Sequence, residues 1–330
     1  MGNHKQDFNL IQAKMRYISF IILLTLLSLY IISHNIDKWF DFLHFFIPES
    51  HGGVWHKDVE SKSEFYEGQI NKNELIPIKV VIGGDTFTFL LDTGSTTSCI
   101  SVQAARKIGI KSIKYSLPYF YGNNIFKFVL LPTVELQKNV RIGPYIGEKV
   151  EWEMIDEKEL KILEHYDGII GRNILKNFQI ELAYSHNILR IYTHEIQIPN
   201  DAFTCILELS PYSRIPLTID GKNKKAFIDT GNNGFIEKFE VGLGYSIHPD
   251  DSLQIESKIL VSTITRRFLQ SKTNVNIGNC TIECTILRCR SIRNLFSYNN
   301  LVIGTAFLSL FDWVIDFQQG KIYFFVEDTT

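Results

Sequence analysis

Cysteine is scarce in this chain: five of 330 residues, at positions 99, 205, 280, 284 and 289. The odd count and wide spacing exclude a dense disulfide framework, although a single bridge in an oxidising compartment stays open. Cys280-x3-Cys284-x4-Cys289 lacks both a Cys-x-x-Cys pair and neighbouring histidines, so a zinc site is not indicated, and no metal or organic cofactor is implied. The nine histidines are scattered, with no HExxH. GGDTFT, residues 83–88, is neither a P-loop nor a dinucleotide-binding loop. Runs of one charge sign are also missing, and a net charge of −2 offers nothing to attract nucleic acid. The chemistry must come from local sites.

Long apolar runs are rare too, with one exception. Residues 17–33, YISFIILLTLLSLYIIS, carry no charge. As a helix they rise roughly 26 Å, the short end of a bilayer span. Lys5, Lys14 and Arg16 precede them, which places residues 1–16 in the cytoplasm and the rest of the chain on the non-cytoplasmic side, the periplasm in a Gram-negative host. The run exceeds the usual signal-peptide core and no Ala-x-Ala-like site follows it, which favours an uncleaved signal anchor over a cleaved signal. Residues 34–73 then read as a juxtamembrane segment and tether. Trp39, Phe40, Phe42, Phe45 and Phe46 suit either the headgroup level or packing on the soluble part. Residues 49–73 are polar, and Gly52-Gly53 suggests a flexible link.

What the chain does have is an internal repeat. IPIKVVIGGDTFTFLLDTG, from Ile76, is echoed by IPLTIDGKNKKAFIDTG, from Ile215. Each reads as strand, Gly-containing turn, strand and acidic turn. Further on, GIIGRNILKNFQIELAYSHNILRIY (168–192) matches VIGTAFLSLFDWVIDFQQGKIYFF (302–325). Counted from Gly171 and Gly304, Leu175 aligns with Leu308, Phe178 with Phe311, Ile180 with Trp313, Leu182 with Ile315 and Tyr184 with Phe317. Positions +7 to +13 alternate as a half-buried strand does. From Asp to Gly the spacing is 79 residues in the first half and 75 in the second. Short strands and frequent turns make both halves mainly β. SVQAARKIGI is the clearest helix, with Ser101 as N-cap and Gly109 as stop.

Asp92 and Asp229 each close an apolar strand, where an ionised carboxyl is costly unless it is hydrogen-bonded or reactive. Alone, either DTG would be a turn whose Asp bonds its own backbone. Paired carboxyls can do more. Two acids sharing one proton split their apparent pKa values, so one can take a proton from water while the other gives one to a leaving amine.

With Asp92-Thr93-Gly94-Ser95, Ile169-Ile170-Gly171, Asp229-Thr230-Gly231 and Val302-Ile303-Gly304, the halves resemble the two lobes of an aspartic protease. Each is closer to the compact retropepsin-like form found in bacteria than to the long lobe of pepsin, and the likeness covers about residues 74–328. The resemblance implies a two-lobed fold of double-psi β-barrel type, with lobes at 74–195 and 196–330, and a membrane-anchored endopeptidase of peptide substrates, monomeric as a catalytic unit. Asp92 and Asp229 would be catalytic. Thr93 and Thr230 would tie the lobes together, and Gly94 and Gly231 would let the chain bend and bring amides to the carboxylates. Ser95 would donate to Asp92. Asn232 stands where a small or hydroxyl residue is usual, and its amide would reach Asp229. Gly171 and Gly304 would leave room beside the DTG loops. LPYFYGNNIFKFVLL (117–131) would be the substrate-covering flap, with Tyr121 and Tyr119 against substrate and Gly122 in the turn. Residues 257–270 would wall the opposite side. Two other readings stay open: a silent peptide-binding or scaffolding module, and halves that dimerise separately.

Overall fold

The computed structural model describes residues 50–110, 115–120, 128–136, 139–156, 164–198, 202–209, 213–234, 236–240, 253–259, 262–278, 280–290 and 301–325. Residues 1–49, which include the apolar run 17–33 and the aromatic segment 34–48, lie outside the described part. Among the described residues no helix is long and apolar enough to cross a membrane.

Two hairpins open the two lobes in the same way. Pro77–Ile82 pairs antiparallel with Asp85–Leu91, and Arg214–Ile219 with Lys222–Ile228. The outgoing strands even share one burial alternation, with Ile78, Val80 and Ile82 inward in the first and Ile215, Leu217 and Ile219 in the second. Both turns need positive φ at two central residues, Gly83 (61°) and Gly84 (96°) in one and Asp220 (50°) and Gly221 (70°) in the other. This is the tight turn whose twist matches that of its strands, and Gly and Asp are the residues that tolerate it.

From each hairpin the sheet closes on itself. In the first lobe the circuit is Pro77–Ile82, Asp85–Leu91, Gly168–Ile170, Cys99–Ser101, Tyr145–Ile155, Val140–Ile142 and back. In the second it is Arg214–Ile219, Lys222–Ile228, Leu301–Ile303, Ile236–Glu240, Cys280–Arg290, Ser262–Ile277 and back. The pairing senses agree at every step: antiparallel, parallel, antiparallel, parallel, then antiparallel twice. Two closed barrels of the same winding therefore lie in one chain, and the mainly β reading holds.

A third sheet joins them. Its order is Phe203–Ile206, Lys321–Phe325, Asp312–Asp316, Gln179–Ala183, Ile188–Tyr192, Tyr66–Gln69. The central pairing sets Ile180 opposite Ile315 and Leu182 opposite Trp313. Because Ile180 is the repeat partner of Trp313 and Leu182 of Ile315, a local twofold axis passes between the two strands. Each half supplies three strands, so the halves complete each other's sheet within one chain. At the centre, both strands are buried nearly throughout instead of alternating.

Two parts of the sequence reading need correction. Residues 50–73 are not a loose tether. Gly52–Lys57 pairs antiparallel with Tyr145–Ile155, and Tyr66–Gln69 adds an edge to the joining sheet, so the first lobe begins near residue 50. Gly52 is there for proximity, since a Cβ would lie 1.8 Å from the Asn173 carbonyl oxygen. The helix Val102–Ile108 is as expected, the Ser101 hydroxyl accepting from the Ala104 amide at 3.0 Å and Gly109 closing it at φ 84°. Cys99, Cys205, Cys280 and Cys284 are free thiols.

Candidate active site

Asp92 and Asp229 leave their barrels at equivalent points. The strand Asp85–Leu91 runs parallel to Gly168–Ile170, and the Asp92 amide donates to the Ile170 carbonyl at 3.0 Å. In the second lobe the Asp229 amide donates to Ile303 at 2.9 Å. Just beyond, Gly171 and Gly304 both sit at φ −97°, which any residue can adopt. Their smallness serves space. A Cβ on Gly171 would fall 2.3 Å from the Thr97 carbonyl, and one on Gly304 2.3 Å from that of Gly234.

The two threonines lock the loops face to face. The Thr93 amide donates to the Thr230 hydroxyl at 2.9 Å, and the Thr230 amide to the Thr93 hydroxyl at 3.1 Å. Each hydroxyl donates in turn across the axis, Thr93 to the Ile228 carbonyl at 3.0 Å and Thr230 to that of Leu91 at 2.9 Å. Both threonines are buried, so all these polar groups depend on one another.

This grip brings the carboxyls together, and Asp229 is hydrogen-bonded to Asp92. Oδ1 of Asp92 accepts the amides of Gly94 (2.8 Å) and Ser95 (3.1 Å), while Oδ1 of Asp229 accepts Gly231 at 3.0 Å. Gly94 and Gly231 do not adopt the left-handed conformation expected of a sharp bend. They are required by approach, since a Cβ on Gly94 would lie 2.4 Å from Asp229 Oδ1 and one on Gly231 2.6 Å from Asp92 Oδ2. Desolvation pushes the Asp92 pKa up, against the opposing pull of the Gly94 amide, the Asp229 carboxyl and the amides of Ser95 and Gly231. A raised acid hydrogen-bonded to a second carboxyl is how a pair comes to share one proton.

Residues 78–174 match the aspartyl protease family model. The match runs from the first hairpin through Asp92 to the helix Arg172–Leu175, so the likeness spans most of the first barrel. No curated protein matches the chain. The second barrel lies beyond the family match, and its kinship to the first rests on the shared winding and loop geometry.

One expected contact is replaced. The Ser95 hydroxyl donates to the Thr97 carbonyl at 2.7 Å, and its backbone amide serves Asp92 instead. Asn232 Oδ1 accepts the Gly234 amide at 2.7 Å, closing its own turn. Both side chains meet a nearby backbone group. The segment expected to cover substrate contributes an antiparallel pair, Tyr115–Phe120 with Phe128–Glu135, and Tyr119 lies opposite Val129. Tyr121 and Gly122 fall outside the described residues. Residues 257–270 fall on a second hairpin, Leu253–Ile259 with Ser262–Ile277.

The sequence reading missed a buried polar chain behind the first loop. The Ser98 hydroxyl donates to Asn173 Oδ1 at 2.6 Å and accepts the Gly171 amide at 2.9 Å. Arg172 donates across to the Leu209 carbonyl at 2.6 Å. Arg172 and Asn173 are not repeated at Thr305 and Ala306, so a search for repeats passes over them. A polar pair directly after Gly171, in an otherwise apolar stretch, was the available signal.

Proposed function

We propose that this chain is a membrane-anchored aspartic endopeptidase, in which Asp92 and Asp229 hold and activate one water. The observation that carries this reading is the hydrogen-bonded carboxyl pair, supported by three backbone amides and by the family match of the first lobe. One aspartate, ionised, takes a proton from the water as it attacks the peptide carbonyl. The other, protonated, hydrogen-bonds the developing oxyanion, and a proton passes to the leaving amine. Thr93 and Thr230 keep the pair from drifting, and Gly94 and Gly231 leave room for the opposing carboxyl. The substrate is an extended polypeptide laid between the lobes beneath the hairpin Tyr115–Glu135, and one chain forms the whole catalytic unit. Residues 17–33 anchor the enzyme, with both lobes on the non-cytoplasmic side.

The test compares the wild type with Asp92→Asn and Asp229→Asn on a mixed peptide library. Cleavage by the wild type alone supports the reading. Equal cleavage by all three discards the mechanism, and peptide bound but recovered uncut by every form marks a silent binding module instead. Retention of the chain in membranes through an alkaline carbonate wash tests the anchor separately.

A further inference from the structure

The segment Ser50–Lys57 breaks the internal symmetry. It precedes the repeated unit, and it has no counterpart among the described residues of the second lobe. Yet it is firmly held. The strand Gly52–Lys57 pairs along Tyr145–Ile155, the Glu151 amide donates to the His51 carbonyl at 2.9 Å, and Glu151 Oε2 accepts the His51 amide at 2.8 Å. Trp55 packs edge-on to Phe178 with ring centroids 5.1 Å apart.

At its start the segment touches the machinery. Asn173 Nδ2 donates to Ser50 Oγ at 2.9 Å and to the Ser50 carbonyl at 3.3 Å. The other end of the same amide accepts from Ser98, whose hydroxyl accepts the Gly171 amide. Asn173 donates its own backbone amide to Thr96 at 3.1 Å, and Arg172 donates its amide to Ser95 at 2.8 Å. Ser50, Ser98 and Asn173 are 1 %, 0 % and 0 % exposed. In the second lobe the backbone bonds from Thr305 to Asn232 and from Ala306 to Gly234 match those of Arg172 and Asn173, but Ala306 stands at the Asn173 position and brings no side-chain amide. Beyond the shared backbone bonds, the first loop is thus held by a side-chain chain that ends on a residue 42 positions before Asp92. Were the Ser50 hydroxyl removed, the buried Asn173 amide would lose the shorter of its two bonds to Ser50.

We propose that Ser50 is a positioning residue for the Asp92 loop, acting through Asn173 and Ser98 to set the height of Gly171 and of residues 92–98 against Asp229. The proposal rests on the protease reading for its kinetic consequence. It also makes the stretch where residues 1–49 join the first lobe part of the active-site scaffold.

The experiment uses the full-length chain as wild type, Ser50→Ala, Ser98→Ala, the double variant, and Val54→Ala on the exposed face of the same strand. Ser50→Ala is expected to lower kcat by about tenfold with KM nearly unchanged, the pattern of a misaligned reacting group. Ser98→Ala should do the same, and the double variant should be little worse than either single one, because both cut one chain. Val54→Ala should match wild type. Hydrogen exchange at the Gly171, Arg172 and Asn173 amides should quicken in Ser50→Ala while that of the second barrel stays constant. This readout does not need activity, so it decides the proposal even if the wild type cleaves nothing and the protease reading fails. Unchanged exchange at those amides in Ser50→Ala overturns the proposal, as does exchange that quickens equally in both barrels. In an active enzyme, additive losses in the double variant overturn it too.

Discussion

Thr93 and Thr230, 137 residues apart, each donate a backbone amide to the other's hydroxyl. The bond lengths, 2.9 and 3.1 Å, are nearly equal, as a twofold relationship requires. Thr93→Val or Thr230→Val would keep the shape and strand a buried amide. Each is expected to destabilise the fold by roughly 1–3 kcal/mol, measured by denaturant unfolding, with the serine variants much milder. A valine variant of unchanged stability would count against the grip as a structural tie.

The carboxyl pair makes a prediction about pH. Burial raises the Asp92 pKa, so the form holding one shared proton persists to higher pH than a solvated aspartate would allow. Peptide cleavage should therefore be bell-shaped in pH, falling on the alkaline side as that last proton is lost. A rate that climbs steadily through neutral pH would contradict a shared proton.

Gly231→Ala would set a methyl carbon only 2.6 Å from Asp92 Oδ2, well inside contact distance. The carboxyls would be driven apart while both barrels keep their strands. The expected result is a loss of kcat of about 100-fold, the scale associated with a misplacement near 1 Å, with circular dichroism unchanged.

Glu153 offers a second pH effect, this time on stability. Only 2 % exposed on the strand Tyr145–Ile155, it has its pKa pushed up to about 7 by burial. An acid raised in the folded state holds its proton there after the unfolded chain has released it. Its contribution is therefore fully present below about 4.5 and is lost as pH rises toward 7. Glu153→Gln should remove this dependence and be more stable than wild type at pH 8, by an amount on the order of 3 kcal/mol. Parallel stability curves for the two proteins across pH 4 to 8 would refute it.

How much of this was readable in advance depends on the range over which each feature is encoded. The duplicated hairpins, the two aspartates, and Gly171 and Gly304 were legible because residue type and spacing along the chain specify them. Gly52-Gly53 misled, since glycine serves flexibility and close approach alike. Only the Asn173 carbonyl, packed against Gly52, shows which applies. The Ser95 hydroxyl was assigned to Asp92 by analogy of position, but a nearer backbone carbonyl took it.

By itself the order of residues determined that two like β-rich halves would each present an acid at the end of a buried strand, because alternating burial and turn chemistry are local properties. Which strands share a sheet was decided only in three dimensions. Pairing Gln179–Ala183 with Asp312–Asp316, seating Gly52–Lys57 beside Tyr145–Ile155 and running a hydrogen-bond chain from Ser50 to Gly171 join residues about 100 or more positions apart. Such contacts leave no local periodicity, since a buried polar group is satisfied by whichever partner the folded chain brings to it.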